Sequence, residues 1–174
     1  MEEKSPLLLA VQEAAQNLLP RIINIRRHLH ANPELSFKEF KTAEFVTDEL
    51  EAMGISCERM STTGVVGIIE GSKEGGTTVA LRADLDALPI TEKNTTEYVS
   101  KESGVMHACG HDVHTASLLG AAQILQNLRS EFAGTIKLIF QPGEELLPGG
   151  ASIMIKDGVL ENPAPQLIFA QHVF

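Results

Sequence analysis

The stretch GVVGIIEGSKEGGTTVALRAD, residues 64–84, decides the fold class. Two short runs rich in β-branched residues, Val65–Glu70 and Thr77–Ala83, flank the turn-like SKEGG, residues 72–76, and read as two strands.

On the N-terminal side the period changes. From Pro6 to His30 the apolar residues Leu7, Val11, Ala14, Leu18, Ile22, Ile25 and Leu29 recur every three or four positions, which predicts an amphipathic helix that Pro20 would kink or divide. ANPE, residues 31–34, punctuates the chain. A second helical stripe then runs through Phe37, Phe40, Ala43, Val46, Leu50 and Met53 and stops at Gly54.

On the C-terminal side, SLLGAAQILQNL (117–128) predicts a helix, with Gly134 as the break before the strand TIKLIF (135–140). A helix over Gly150–Lys156 and a last strand in QLIFAQHVF (166–174) follow. Helices alternating with short apolar runs predict an α/β fold: layered helices around a mixed, largely parallel sheet. At 174 residues this is one globular unit. A central-looking strand with no helix after it leads us to expect that the chain is part of something larger.

Composition narrows the function. With 14 basic against 23 acidic residues, a net charge of -9 repels phosphate backbones, so no nucleic-acid partner is expected. No run is long enough for a membrane span, and the opening MEEK is acidic where a signal peptide is basic. Cys57 and Cys109 are then expected in a reducing, cytoplasmic setting, both free or one bound to metal.

In open α/β sheets the loops leaving the carboxyl ends of strands line the binding crevice. Here those loops carry Asp84 and Asp86, Glu144 and Glu145, and His172, while Cys109 and His111 precede a helix. Thiolate, imidazole and carboxylate together suit a borderline divalent ion such as zinc, with manganese or cobalt as alternatives. Glu145 could ligate while Glu144 takes a proton from water.

Plainer readings compete. Asp112 reads as an N-cap with His114 exposed one turn in, Cys109 as a small core residue or a redox-sensing thiol, and Glu144–Glu145 as a solvated turn. His28 and His30 read as decoration of a helix C-terminus. No G-x-G-x-x-G, phosphate-binding loop or G-x-S-x-G is present.

Five segments in order, RRHLHANPELSFKEFKTAEFV, ALRADLDALPITE, MHACGHDVHTASLLGAA, FQPGEELLPGGASIMIKDGVL and HVF, closely resemble the aminoacylase-like metallopeptidases. The similarity is to the branch of hippurate hydrolases, indole-acetyl-amino-acid hydrolases and related N-acyl-amino-acid amidohydrolases. It implies a zinc-exopeptidase-like catalytic domain holding two divalent metal ions (Zn, Mn or Co). The implied ligands are Cys109, His111, Glu145 and His172, with Glu144 as general base. Asp86 falls where that family has an Asp supporting a metal-binding His, and Asp84 stands where that His would be.

The resemblance further implies a small N-acyl amino acid as substrate and a homodimer for full-length relatives. Those relatives are roughly twice as long, so residues 1–174 would be the N-terminal portion of the catalytic domain. The lid and dimerisation domain, a last His ligand and the rest of the catalytic domain would lie outside it. Two functional expectations follow: a metal-dependent amidohydrolase, or a catalytically incomplete fragment that binds metal or a complementary half without turnover.

Overall fold

The computed structural model of the chain describes residues 5–173, so the MEEK reading and the last residue of HVF lie outside the described residues. Helix α1 spans Pro6–Ala31. Ser5 caps it by accepting the Leu8 N–H at 3.2 Å, and Pro6 takes the first helical position, where no N–H is needed. Pro20 does not divide the helix. The carbonyl it leaves without a partner belongs to Gln16, an exposed residue that water can serve.

Helix α2 spans Phe40–Ala52, and the chain then makes three strands, β1 Ser56–Met60, β2 Gly64–Glu70 and β3 Lys73–Asp84. Helix α3 covers His111–Asn127, β4 Ala133–Gln141, α4 Gly150–Lys156 and β5 Leu167–Ala170. Helix α4 keeps the bounds expected from sequence. Strand β1 was not anticipated: SCERM has no apolar run and forms an edge strand that pairs only with β2.

The five strands form one mixed sheet in the order β1-β2-β4-β3-β5. β1–β2 and β2–β4 are antiparallel, while β3–β4 and β3–β5 are parallel, so the parallel part is confined to one half. SKEGG, read as a turn, is mostly strand. β3 already begins at Lys73, and β4 lies between β2 and β3. Among the described residues β5 lies at the edge beyond β3, and all four of its residues are exposed.

Strand alternation builds two cores. Val65 and Ile69 of β2 and Leu138 and Phe140 of β4 face a cluster completed by Ile25, Leu29, Val46, Leu50, Ala116 and Leu119 from α1, α2 and α3. Val66 and Ile139 face the other way, onto Met154 of α4 and Val159. Lys137 is buried on this second face, its Nζ donating to the carbonyls of Val159 at 2.9 Å and Glu161 at 2.6 Å. No helix among the described residues is long and apolar enough to cross a membrane.

Candidate metal centre

The parallel register sets Asp84 beside Gln141 and Arg82 beside Ala170, so β3, β4 and β5 all end at one edge of the sheet. The loops carrying Asp86, Glu144–Glu145 and His172 leave from that edge. Helix α3 brings His111 to the same place on its first residue. The sequence put Cys109 and His111 ahead of the helix; the structure places His111 inside it, after Gly110.

His111 is buried, and its Nδ1 lies 2.8 Å from the backbone carbonyl oxygen of Asp86. Its Nε2 is buried with no hydrogen-bond partner among the described residues. Around that nitrogen stand Asp84 Oδ1 at 3.7 Å, Glu145 Oε1 at 3.8 Å and Glu144 Oε2 at 3.9 Å. These separations are too long for hydrogen bonds and near the spacing of ligand atoms that share one ion. Metal–ligand bonds of about 2.0–2.3 Å in a tetrahedral site put neighbouring donors roughly 3.3–3.7 Å apart. Cys109 Sγ and His172 Nε2, 3.5 Å apart, have this spacing too. Donor atoms of Cys109, His111 and His172, of His111, Glu144 and Glu145, and of Asp84, His111 and His114 all fall within 4.8 Å of one another in each set. His111 belongs to all three.

The field favours a cation. Burial disfavours a charged His111 ring, but its contact with Asp86 and the charges of Asp84 and Asp86 outweigh burial and raise its pKa. The Cys109 thiol is pushed up to about 11 by burial, then by a hydrogen bond to Glu145 and the charges of Glu145, Glu144 and Asp84. This speaks against Cys109 as a reactive redox-sensing thiol in the metal-free chain, because burial and the carboxylates around it disfavour the thiolate. A divalent ion would reverse that balance. The donor set and the orphaned His111 nitrogen therefore fit a metal.

Asp86 ties the site together. Its carboxylate accepts the Ser36 hydroxyl at 2.6 Å and the backbone N–H groups of Glu144 at 3.0 Å and Glu145 at 2.9 Å. Burial pushes its pKa up, but bonds from His111, Ser36, Glu145 and Glu144 prevail and hold it at about 2. The glutamate loop is pinned again at Gly143, whose N–H donates to the buried Glu39 carboxylate at 2.7 Å. Gly143 has φ +53, and a Cβ there would come within 2.4 Å of the Phe37 ring, so glycine is required. Glu145 has a side-chain exposure of 22% and Glu144 of 43%; both are partly solvated, and a carboxylate oxygen of each lies within 3.9 Å of His111 Nε2.

Several expectations are corrected. Asp112 is not the N-cap, which is Gly110 in the left-handed region. Asp112 is buried, 2.7 Å from His30 Nδ1 and 2.8 Å from Arg26 Nε. His30 is no surface decoration either: it is buried, and its Nε2 lies 3.0 Å from Glu92. His28 stacks on Phe45 at 4.5 Å. His114 is buried, with Nδ1 2.7 Å from Asp84 Oδ1. His107 is buried with neither ring nitrogen partnered among the described residues, and burial holds its pKa down at about 4. Ser36, Glu39, Glu92 and Arg26 gave no signal in the sequence, since each acts through a partner distant along the chain.

An α/β domain that gathers thiol, imidazole and paired carboxylates at parallel strand ends has the layout of a metallohydrolase. The chain belongs to Peptidase family M20/M25/M40, whose model matches residues 80–174. It is 52% identical to an N-acyl-L-amino acid amidohydrolase of Geobacillus stearothermophilus over 142 residues, 81% of this chain and 38% of that protein. It is 47% identical to an N-acetyl-L-cysteine deacetylase of Bacillus subtilis over 162 residues, 92% of this chain and 37% of that one. Among solved structures it superposes on a Bacillus subtilis dinuclear metal binding peptidase of the M20 family with TM-score 0.85 and 43% identity, covering 91% of this chain and 44% of that one. The chain thus spans about two-fifths of the length of these relatives.

Proposed function

We propose that this chain forms the N-terminal portion of the catalytic domain of a metal-dependent amidohydrolase. The enzyme would cleave the amide bond of N-acyl amino acids or similar small conjugates to a carboxylic acid and an amino acid. The observation that carries the reading is the buried, unpartnered Nε2 of His111 amid Asp84, Glu144 and Glu145. The relatives named as an amidohydrolase and a deacetylase support the reaction, and the dinuclear peptidase supports two ions.

Cys109, His111, Glu145 and His172 would hold the metal. Two divalent cations, zinc, manganese or cobalt, supply Lewis acidity toward the amide carbonyl and toward water when bound. Glu144, the more exposed of the two carboxylates, takes the proton of the attacking water and returns it to the leaving nitrogen. Asp86 fixes the backbone of both glutamates, so base and ligand keep their spacing.

The test uses Glu144→Gln and His111→Ala in the enzyme that contains this chain, with N-acetyl and N-benzoyl amino acids as substrates. Glu144→Gln is expected to keep its metal and lose at least about a hundredfold in kcat; His111→Ala is expected to lose metal first. Wild-type turnover in Glu144→Gln would overturn the base assignment.

A further inference from the structure

Pairing of β5 with β3 ends at Ala170, so the strand ladder does not itself hold His172 and Val173. Two contacts seat this segment on the start of α3. The Val173 N–H donates to His114 Nε2 at 3.1 Å. The Val173 side chain lies so close to Gly110 that a Cβ on residue 110 would come within 2.4 Å of Val173 Cγ2.

The first contact fixes the His114 tautomer. Nε2 accepts, so it carries the lone pair, and the ring proton sits on Nδ1, which donates to Asp84 Oδ1 at 2.7 Å. A carboxylate can only accept, so Asp84 admits no other tautomer. Asp84 is itself held by Arg82 Nη1 at 2.7 Å, and Arg82 Nε donates to Gln141 Oε1 at 2.9 Å. A continuous path runs from the ends of β4 and β3 through α3 to the residue next to His172, whose ring centroid lies 4.9 Å from that of His114.

We propose that His114, locked in its Nδ1–H tautomer by Asp84, is a positioning residue that seats His172 at the metal site. The proposal rests on the reading of His172 as a ligand. His114 needs no contact with metal or substrate for this role, because both its ring nitrogens are already engaged.

The test begins with the metal-free enzyme that contains this chain, labelled with ¹⁵N. The expected result is a His114 ring protonated at Nδ1 and bare at Nε2, with the Val173 amide exchanging at least about tenfold more slowly than an unprotected amide. In Asp84→Asn the asparagine amide can donate to Nδ1, so the tautomer inverts, Val173 loses protection, and zinc affinity falls about 10–100-fold. His114→Gln, which keeps a donor and an acceptor, should retain Val173 protection where His114→Phe loses it. In a His172→Ala background, His114→Phe should cost no further zinc affinity. An Nε2–H tautomer in the wild type, an unprotected Val173 amide, or additive losses in the double variant would overturn the positioning role alone. Unchanged zinc affinity in His172→Ala would overturn the ligand assignment, and with it the proposal.

Discussion

His111 meets Asp86 twice: its Nδ1 lies 2.8 Å from the Asp86 carbonyl oxygen and 3.3 Å from the Asp86 carboxylate. The carbonyl orients the ring and leaves Nε2 toward the other donors, while the carboxylate grips the backbone of Glu144 and Glu145. One residue thereby sets the distance between an imidazole on a helix and two carboxylates on a loop.

Asp86→Ala removes the acceptor of Ser36, Glu144 and Glu145 together. Zinc affinity, measured by competition with a chromophoric chelator, is expected to fall about 10–100-fold while circular dichroism stays near wild type. Unchanged affinity would show that the loop holds its shape without Asp86.

His30 gives the fold a pH dependence. Its pKa is raised chiefly by the hydrogen bond to Asp112, with burial opposing and Glu92 reinforcing. A group whose folded pKa is raised contributes stability that is fully present below its unfolded value of 6.5 and is lost as pH rises through the folded value. Urea midpoints of wild type and His30→Gln should differ most near pH 6 and converge toward pH 9. A gap that widens with pH would contradict the assignment.

Cys109 should be a slow nucleophile without metal. With its thiol at about 11, alkylation by iodoacetamide at pH 7.5 is expected to run about two orders of magnitude below that of an unhindered thiol. Rapid labelling of metal-free protein would restore the reactive-thiol reading.

Lys137 lies in the middle of β4 on the face packed by α4, away from the strand ends that carry the metal centre, and satisfies two buried carbonyls. Lys137→Met is expected to cost about 1–3 kcal/mol in urea unfolding, since those acceptors lose their donor, while zinc affinity stays unchanged. A loss of affinity would mean that this face and the strand ends are coupled.

The local pattern of the chain determined a good part of this protein. Helices α1 and α2 follow from apolar residues spaced every three or four positions, and the strands β2 and β4 from short β-branched, apolar runs bounded by turn residues. The kinds of side chain following the strands could also be read, because a parallel sheet sends all its strand ends to one edge. Strand β1 could not be read: SCERM is an edge strand defined by pairing with β2 rather than by an apolar run.

Tertiary structure alone decided which polar residues are partners. Asp112 looks like a cap when judged by its neighbours, yet its hydrogen-bond partner His30 is 82 residues away. His114 looks exposed until Asp84 and Val173 close around it, 30 and 59 residues distant. Periodicity records which face of an element is buried. It carries no record of hydrogen bonds between elements, whose short range and directionality are met only once the chain has folded.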